Sequence, residues 1–167
     1  IIMKKLTKLF TLLILLGSFL HLQSQTKFSK RKINNLKNQA SQLVEDDKKM
    51  TQVMIDKVFS FGELGFQEFE TSKYLSSILE ENGFDVEYKI SNIPTSWLAT
   101  WSNGNGGPII ALGSDFDGVP STSQYPGVAY EKPVVEGAPG HGEGHNIGVP
   151  IVITAALSLK KIMIENN

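Results

Sequence analysis

The chain has 167 residues, a formal net charge of -1 and no cysteine. This length suits one domain with a sizeable core, and the near-neutral charge does not resemble that of a nucleic-acid-binding protein, which needs a clustered basic face. The absence of thiols excludes cysteine catalysis and thiolate ligation, so any metal would be bound by His, Asp and Glu. From Met50 onward six basic residues stand against fourteen acidic ones, a balance that suits cation binding.

Residues 1–24 have the order of a secretory signal peptide. A short basic start is followed by an apolar run from Leu9 to Leu20 and by a polar stretch at Ser24, where we expect cleavage. The alternative is a membrane anchor, but the apolar run is shorter than the roughly 20 residues that span a bilayer. We therefore expect an exported protein, periplasmic or secreted, with no stable membrane anchor after cleavage.

Three helices are predicted in the first half of the remaining chain. Residues 25–49 are basic and carry apolar residues at helical spacing, which indicates a surface helix leading into the fold. A helix over 52–61 would be capped by Thr51, and a helix over 68–82 would end at Gly83 in a left-handed conformation. The residues expected to face the core are Val53, Met54, Val58 and Phe61 in the former, and Tyr74, Leu75, Ile78 and Leu79 in the latter.

Three strands are expected next. Residues 84–90 alternate apolar and polar side chains, which is typical of a half-buried strand, and 96–101 read as a second strand. After the Asn-Gly turn at 102–107, the continuous apolar run over 108–113 predicts a central strand covered on both faces.

The last part of the chain combines a long loop and a helix. Residues 121–140 show no periodicity, and a loop of this length in a compact domain is usually functional. A helix is predicted over 149–164, with Pro150 in its first turn and Val152, Ala155, Ala156, Leu159 and Met163 facing inward. The predicted fold is α/β, a mixed sheet flanked by helices, with the ligand-rich loops at strand ends.

Two loops carry the residues that could perform chemistry. Asp115 and Asp117 follow the predicted central strand, where an extended backbone would point both side chains the same way. His141, Glu143 and His145 are spaced by glycines, which allow a loop to direct several ligands at one point. Imidazole and carboxylate together suit zinc, manganese or cobalt. The alternatives are an Asp-rich turn, an exposed polar loop, and a phosphate cradle over 137–148 that lacks the Gly-Lys-Ser/Thr ending of a P-loop.

Four stretches, at 61–68, 93–96, 115–120 and 137–146, carry a family resemblance. In letters, order and spacing they resemble the N-terminal part of the zinc aminoacylase/carboxypeptidase superfamily of metallopeptidases. The branch they are most similar to is that of the amidohydrolases related to p-aminobenzoyl-glutamate hydrolase. The resemblance implies the N-terminal portion of a two-metal, exopeptidase-like catalytic domain.

The resemblance also implies roles for individual residues. Two divalent ions, zinc or manganese, would be bound in the full-length parent, with Asp117 at the family's catalytic acidic position behind them. Asp115 occupies the place where carboxypeptidase-type relatives have a His ligand, and His145 falls on a His ligand of the branch. Glu143 stands where the branch usually has a metal-binding Cys, and His141 matches a position that is often His. The implied substrate is a small amide or peptide, such as an N-acyl or aminobenzoyl amino acid.

By the same resemblance, residues 50–167 form the beginning of the catalytic domain. A general-base Glu, further ligands and an inserted domain that could form a homodimer would follow, so we expect the fragment alone to be inactive. The alternatives are a non-catalytic module that binds a ligand or metal, and a decayed gene product.

Overall fold

The computed structural model describes residues 28–104 and 106–166. The predicted signal peptide over 1–24 and the first residues of the predicted helical lead-in lie outside these ranges. The chain divides into two compact units, Ile1–Asn35 and Leu36–Asn167, and the core and the candidate site described below belong to the second.

Four α-helices are present in the described residues: α1 Lys30–Asp46, α2 Lys48–Phe61, α3 Phe69–Glu81 and α4 His145–Glu165. Helix α1 buries none of its residues, which confirms the predicted surface helix. The predicted cap at Thr51 is wrong, because α2 begins three residues earlier. The Thr51 hydroxyl instead donates to the Asp47 carbonyl at 3.0 Å and lies 2.7 Å from the hydroxyl of Thr154, so it links α2 to α4.

The hydrophobic core lies between α2, α3 and α4. Its buried members are Met54 and Val58 from α2, Leu75 and Leu79 from α3, and Val149, Ile153 and Leu157 from α4. The inward positions predicted for α2 and α3 are therefore largely confirmed. Val53 is an exception, because 48% of its surface is exposed.

The buried face of α4 differs from the predicted one. Val149, Ile153 and Leu157 are buried and Ala155 is exposed, and the helix starts at His145 rather than at 149. Because α4 is apolar around most of its circumference, periodicity alone does not select the face that packs. By length and composition α4 could also cross a membrane, a property that core helices of soluble proteins share.

A two-stranded antiparallel sheet packs beside the helices. Strand β1 Asp85–Tyr88 pairs with β2 Trp97–Thr100, and Val86 lies opposite Ala99 in the register. These strands confirm two of the three predicted ones. Gly83, which follows α3, has a φ of 73° and so adopts the predicted left-handed conformation.

The predicted central strand over 108–113 is wrong. Ile109 and Ile110 expose 98% and 60% of their surface, and this segment forms no strand. A continuous apolar run becomes a central strand only where neighbouring strands and covering helices bury it, and the described residues supply neither here. The fold is therefore α/β with a small antiparallel sheet in place of the predicted mixed sheet.

Backbone pairings hold three loops together above the core. Leu64 forms a parallel bridge with Gly118, and Val119 forms an antiparallel bridge with Gly140. The amide of Gly118 donates to the Glu63 carbonyl at 2.6 Å, and Val119 and Gly140 exchange two hydrogen bonds of 2.8 and 3.1 Å. These bridges bring residues 115–120 next to residues 137–146, although the two segments are about twenty residues apart in the sequence.

Candidate metal centre

His145 is the residue around which the candidate site is built. It is the first residue of α4, so the packing of that helix fixes the position of its backbone. Its Nδ1 lies 2.9 Å from an Asp117 carboxylate oxygen, and its Nε2 lies 3.2 Å from an Asp115 oxygen. One ligand atom from each of these three residues lies within 4.8 Å of the other two. This cluster therefore contains three of the five predicted site residues.

Glu143, two residues earlier in the chain, contacts the same imidazole. Its Oε1 lies 3.1 Å from His145 Nδ1 and accepts a 3.0 Å hydrogen bond from the backbone amide of His145. Gly144, between the two, has a φ of 110°, a backbone conformation that residues with a Cβ rarely adopt. The glycine thus allows the Glu143 carboxylate to fold back onto the first turn of α4.

The electrostatics of the cluster follow from this crowding of carboxylates. Burial alone would lower the pKa of His145, but the hydrogen bond to Asp117 and the charges of Asp115 and Glu143 outweigh it and raise that pKa. Burial acts to raise the pKa of Glu143, yet its backbone hydrogen bonds and the nearby imidazoles lower it overall. The cluster therefore favours a cation at its centre, either the protonated imidazole or a bound metal.

His141 lies beside the cluster but is oriented differently. Its imidazole is fully buried, and its Nε2 donates a 3.1 Å hydrogen bond to the Val58 carbonyl. Since a carbonyl only accepts, the proton is on Nε2 and Nδ1 carries a lone pair. That Nδ1 has no hydrogen-bond partner among the described residues and lies 4.0 Å from Glu143 Oε1. Burial lowers the pKa of His141, and its predicted role as a metal ligand stays a prediction.

The donor set fits a divalent transition metal. Carboxylate oxygens and an imidazole nitrogen are the ligands that zinc and manganese take; His145 and Asp117 are partly buried, and Asp115 is exposed. The unpartnered lone pair on buried His141 Nδ1, facing a carboxylate, is a further acceptor that a cation would satisfy. Among residues 28–104 and 106–166, one such cluster is found, so the second predicted ion stays a prediction.

Two carboxylates near the cluster, Glu63 and Glu68, were not singled out from the sequence. Glu63 accepts hydrogen bonds from the backbone amides of Glu70 and Thr71, at 3.0 and 2.9 Å, and so holds the first turn of α3. Glu68 is buried and accepts a 2.6 Å hydrogen bond from the Thr95 hydroxyl. Both acids lie in the stretch 61–68, one of the four that carry the family resemblance. That resemblance was the sequence signal that could have identified them.

A cleft of about 290 Å³ opens directly beside the cluster. Asp115 and Asp117 form part of its wall, together with Glu68, Thr95 and Trp97. A larger cavity of about 610 Å³ lies within the loop over 121–137. We associate function with the smaller cleft, because only that cavity is lined by members of the cluster.

The chain is similar to one of the subunits of the p-aminobenzoyl-glutamate hydrolase of Escherichia coli (strain K12). The two sequences are 35% identical over 118 residues, which is 71% of this chain and 24% of the relative. The predicted resemblance to that hydrolase is thereby confirmed, and the chain spans about a quarter of the relative's length. No family model matches the chain, and no solved structure matches it.

Proposed function

We propose that this chain forms the N-terminal part of a metal-dependent hydrolase that cleaves the amide bond of an aminobenzoyl or other N-acyl amino acid. One observation carries the proposal: the two ring nitrogens of His145 lie 2.9 Å from an Asp117 oxygen and 3.2 Å from an Asp115 oxygen, within the stretches that resemble such hydrolases. The similarity to part of a hydrolase supports the same reading.

The contacts of His145 suggest separate roles for the two aspartates. Asp117 accepts the hydrogen bond of Nδ1–H, which selects the tautomer and leaves the Nε2 lone pair free for a metal. Asp115 lies next to Nε2 and exposes 71% of its side chain, so it is available as a second ligand. In this assignment His145 and Asp115 bind the ion, and Asp117 positions the imidazole.

A bound divalent cation would polarise the carbonyl of the scissile amide and stabilise charge that develops on its oxygen. The residues of the centre would bind the ion and orient the imidazole of His145. None of them is assigned the proton transfer that amide hydrolysis requires. The family resemblance implies a separate Glu for that step, as well as a second ion.

We further propose that the hydrolase is exported through the predicted signal peptide over 1–24, with 50–167 as the start of its catalytic domain. A carboxylate at position 143 suits that setting, because it resists the oxidation to which a thiolate is prone. The second candidate function is a non-catalytic metal-binding module. It is favoured by the fact that the cluster supplies ligands without an assigned general base.

Metal titration of the chain tests the proposal. We expect zinc and manganese to bind the wild-type chain in calorimetry, and His145→Ala to abolish binding. Asp117→Asn should weaken binding by about 10- to 100-fold, as loss of a partner that orients a ligand does. Asp85→Asn, which removes an exposed carboxylate on β1, is the matched control and should bind as wild type does.

Equal metal affinity in wild type and His145→Ala would contradict both candidate functions. Hydrolysis of 4-aminobenzoyl-glutamate then separates the two candidates. Metal-dependent release of 4-aminobenzoate by the protein that contains the whole catalytic domain supports the enzyme. Metal binding without any release supports the binding module.

A further inference from the structure

The cleft beside the candidate metal centre has aromatic walls. Trp97 from β2 stacks on Phe116, with ring centroids 6.4 Å apart and planes inclined by 13°. Phe66 and Ile93 complete the apolar part of the lining. The volume of about 290 Å³ is at the small end of the range for small-molecule sites. The cleft therefore suits one flat ring better than an extended peptide.

Phe66 lies in this wall in an unusual conformation. Its φ is 64°, in the left-handed region that bulky residues rarely adopt, and 66% of its surface is exposed. Such a conformation costs free energy and persists where the surrounding structure imposes it. Here the Leu64–Gly118 bridge and the 2.9 Å hydrogen bond from the Gln67 amide to the Leu64 carbonyl hold the turn. The fold thus keeps an exposed aromatic ring beside the cleft, against the usual tendency to bury it.

The cleft also contains a largely buried carboxylate. Glu68 is 8% exposed, and its Oε2 accepts the 2.6 Å hydrogen bond from Thr95. The Thr95 carbonyl in turn accepts a 2.6 Å hydrogen bond from the Ser72 hydroxyl, so the pair is held in place by α3. The other carboxylate oxygen of Glu68 accepts no hydrogen bond from the residues that the structure describes. Glu68 lines the cleft, so this oxygen is available to a donor that enters it.

We propose that this cleft binds the aromatic acyl group of the amide substrate, and that Glu68 accepts a hydrogen bond from an amino group on the ring. The proposal rests on the proposed function, since it takes the amide carbonyl to lie at the Asp115–His145 end of the cleft. Trp97 and Phe66 contact the faces of the ring, and Glu68 selects aminobenzoyl over unsubstituted benzoyl groups. Glu68 is then a specificity-determining residue rather than a metal ligand.

NMR spectroscopy of the ¹⁵N-labelled chain tests the proposal. The indole N–H signals are followed during titration with 4-aminobenzoyl-glutamate and with benzoyl-glutamate. The chain has two tryptophans, so Trp101→Phe assigns the signals and Trp101 serves as an internal control outside the cleft. We expect the Trp97 signal to move and the Trp101 signal to stay. The amino compound should bind about tenfold more tightly, because hydrogen bonds to charged groups are typically worth that much.

Two pairs of variants test the assignment of residues. Glu68→Gln keeps an oxygen acceptor for Thr95, so the fold is preserved, and it should abolish the preference for the amino compound. Glu70→Gln, an exposed acid on α3, should retain that preference. Phe66→Ala should lower the affinity for both ligands by roughly threefold to tenfold. Phe69→Ala, which removes an exposed ring outside the cleft, should weaken neither.

The titrations are performed without metal and with zinc, which separates this proposal from the proposed function. If zinc fails to bind while the Trp97 signal still responds to the amino compound, the metal centre is refuted and the ring site is supported. If zinc binds and the Trp97 signal does not respond, the ring site is refuted. Survival of the amino preference in Glu68→Gln also refutes the assigned role of Glu68.

Discussion

Gly140 is the position where one added methyl group should disturb the candidate site most. A Cβ on Gly140 would lie 2.5 Å from the carbonyl oxygen and 2.8 Å from the carbonyl carbon of Thr122. An ordinary contact begins at 3.4 Å, so the two backbone segments must separate by about 0.9 Å. Because both partners are backbone, no side-chain rotation relieves the clash.

We expect Gly140→Ala to lower the free energy of unfolding by about 3–5 kcal/mol. Overpacking of this kind costs about 1–3 kcal/mol, and the two hydrogen bonds between Gly140 and Val119 contribute about 1 kcal/mol each when they are lost. The bridge also joins the loop of Asp117 to the loop of His145, so zinc affinity should fall at least tenfold. Urea unfolding measures the first effect and calorimetric titration the second.

Gly113→Ala is the matched control for this prediction. Gly113 is another loop glycine close to the cluster, its φ is not positive, and its Cβ would meet no atom within 4 Å. We expect a change of less than about 0.5 kcal/mol and unchanged zinc affinity. If Gly140→Ala unfolds at the same urea concentration as Gly113→Ala and binds zinc equally well, the bridge does not hold the site together and the reasoning is wrong.

The remaining predictions concern the core, the two histidines and the unusual carboxylate. In urea unfolding, Ile153→Ala should lower the free energy of unfolding by about 2–5 kcal/mol, whereas Ile151→Ala, at an exposed position, should lower it by less than about 0.5 kcal/mol. In metal-free protein, buried His141 has a lowered pKa, so its contribution to stability is present above its ordinary pKa of 6.5 and is lost as the pH falls. His145, with its raised pKa, stabilises below 6.5 and loses that effect as the pH rises. When the pH falls from 8 to about 5, the melting temperature of His141→Gln should therefore decrease less than that of wild type, and that of His145→Gln should decrease more. If the melting temperatures of both variants changed equally with pH, the opposite effects assigned to the two histidines would be contradicted. If Glu143 is also a ligand, as the sequence predicts, Glu143→Cys should shift the metal preference toward zinc over manganese in competitive titration, because thiolate is the softer ligand; an unchanged preference would contradict that predicted role.

Elements with local signals could be predicted from the sequence. Helix α3 and Gly83 follow from helical periodicity and a helix-ending glycine, and β1 and β2 follow from short β-rich runs. The predicted strand over 108–113 failed because a central strand is defined by what lies on either side of it. An apolar run carries no information about whether such neighbours are present.

The site was predictable in its residue types and not in its contacts. The chemistry of carboxylate and imidazole indicated Asp115, Asp117 and His145, and the structure joins Asp117 to His145 across 28 residues. The hydrogen bond from His141 to Val58 spans 83 residues, and the bond between Glu68 and Thr95 spans 27. No local pattern specifies such pairings, because they depend on how the loops pack on α2 and β2.

Glu143 illustrates how one side chain can serve both the fold and the site. Gly144, which precedes α4, has no side chain to cap the helix, and the Glu143 carboxylate accepts the amide of His145 in its place. A negative charge at a helix N-terminus is also favoured by the helix dipole. The same oxygen that receives this amide lies 3.1 Å from Nδ1 of His145. A cysteine here would have a shorter side chain and would be a weaker hydrogen-bond acceptor. With a thiolate at this position, another group would have to accept the hydrogen bond from the His145 amide. The carboxylate therefore couples the start of α4 to the orientation of the imidazole, and any change at position 143 should alter helix stability and metal affinity together.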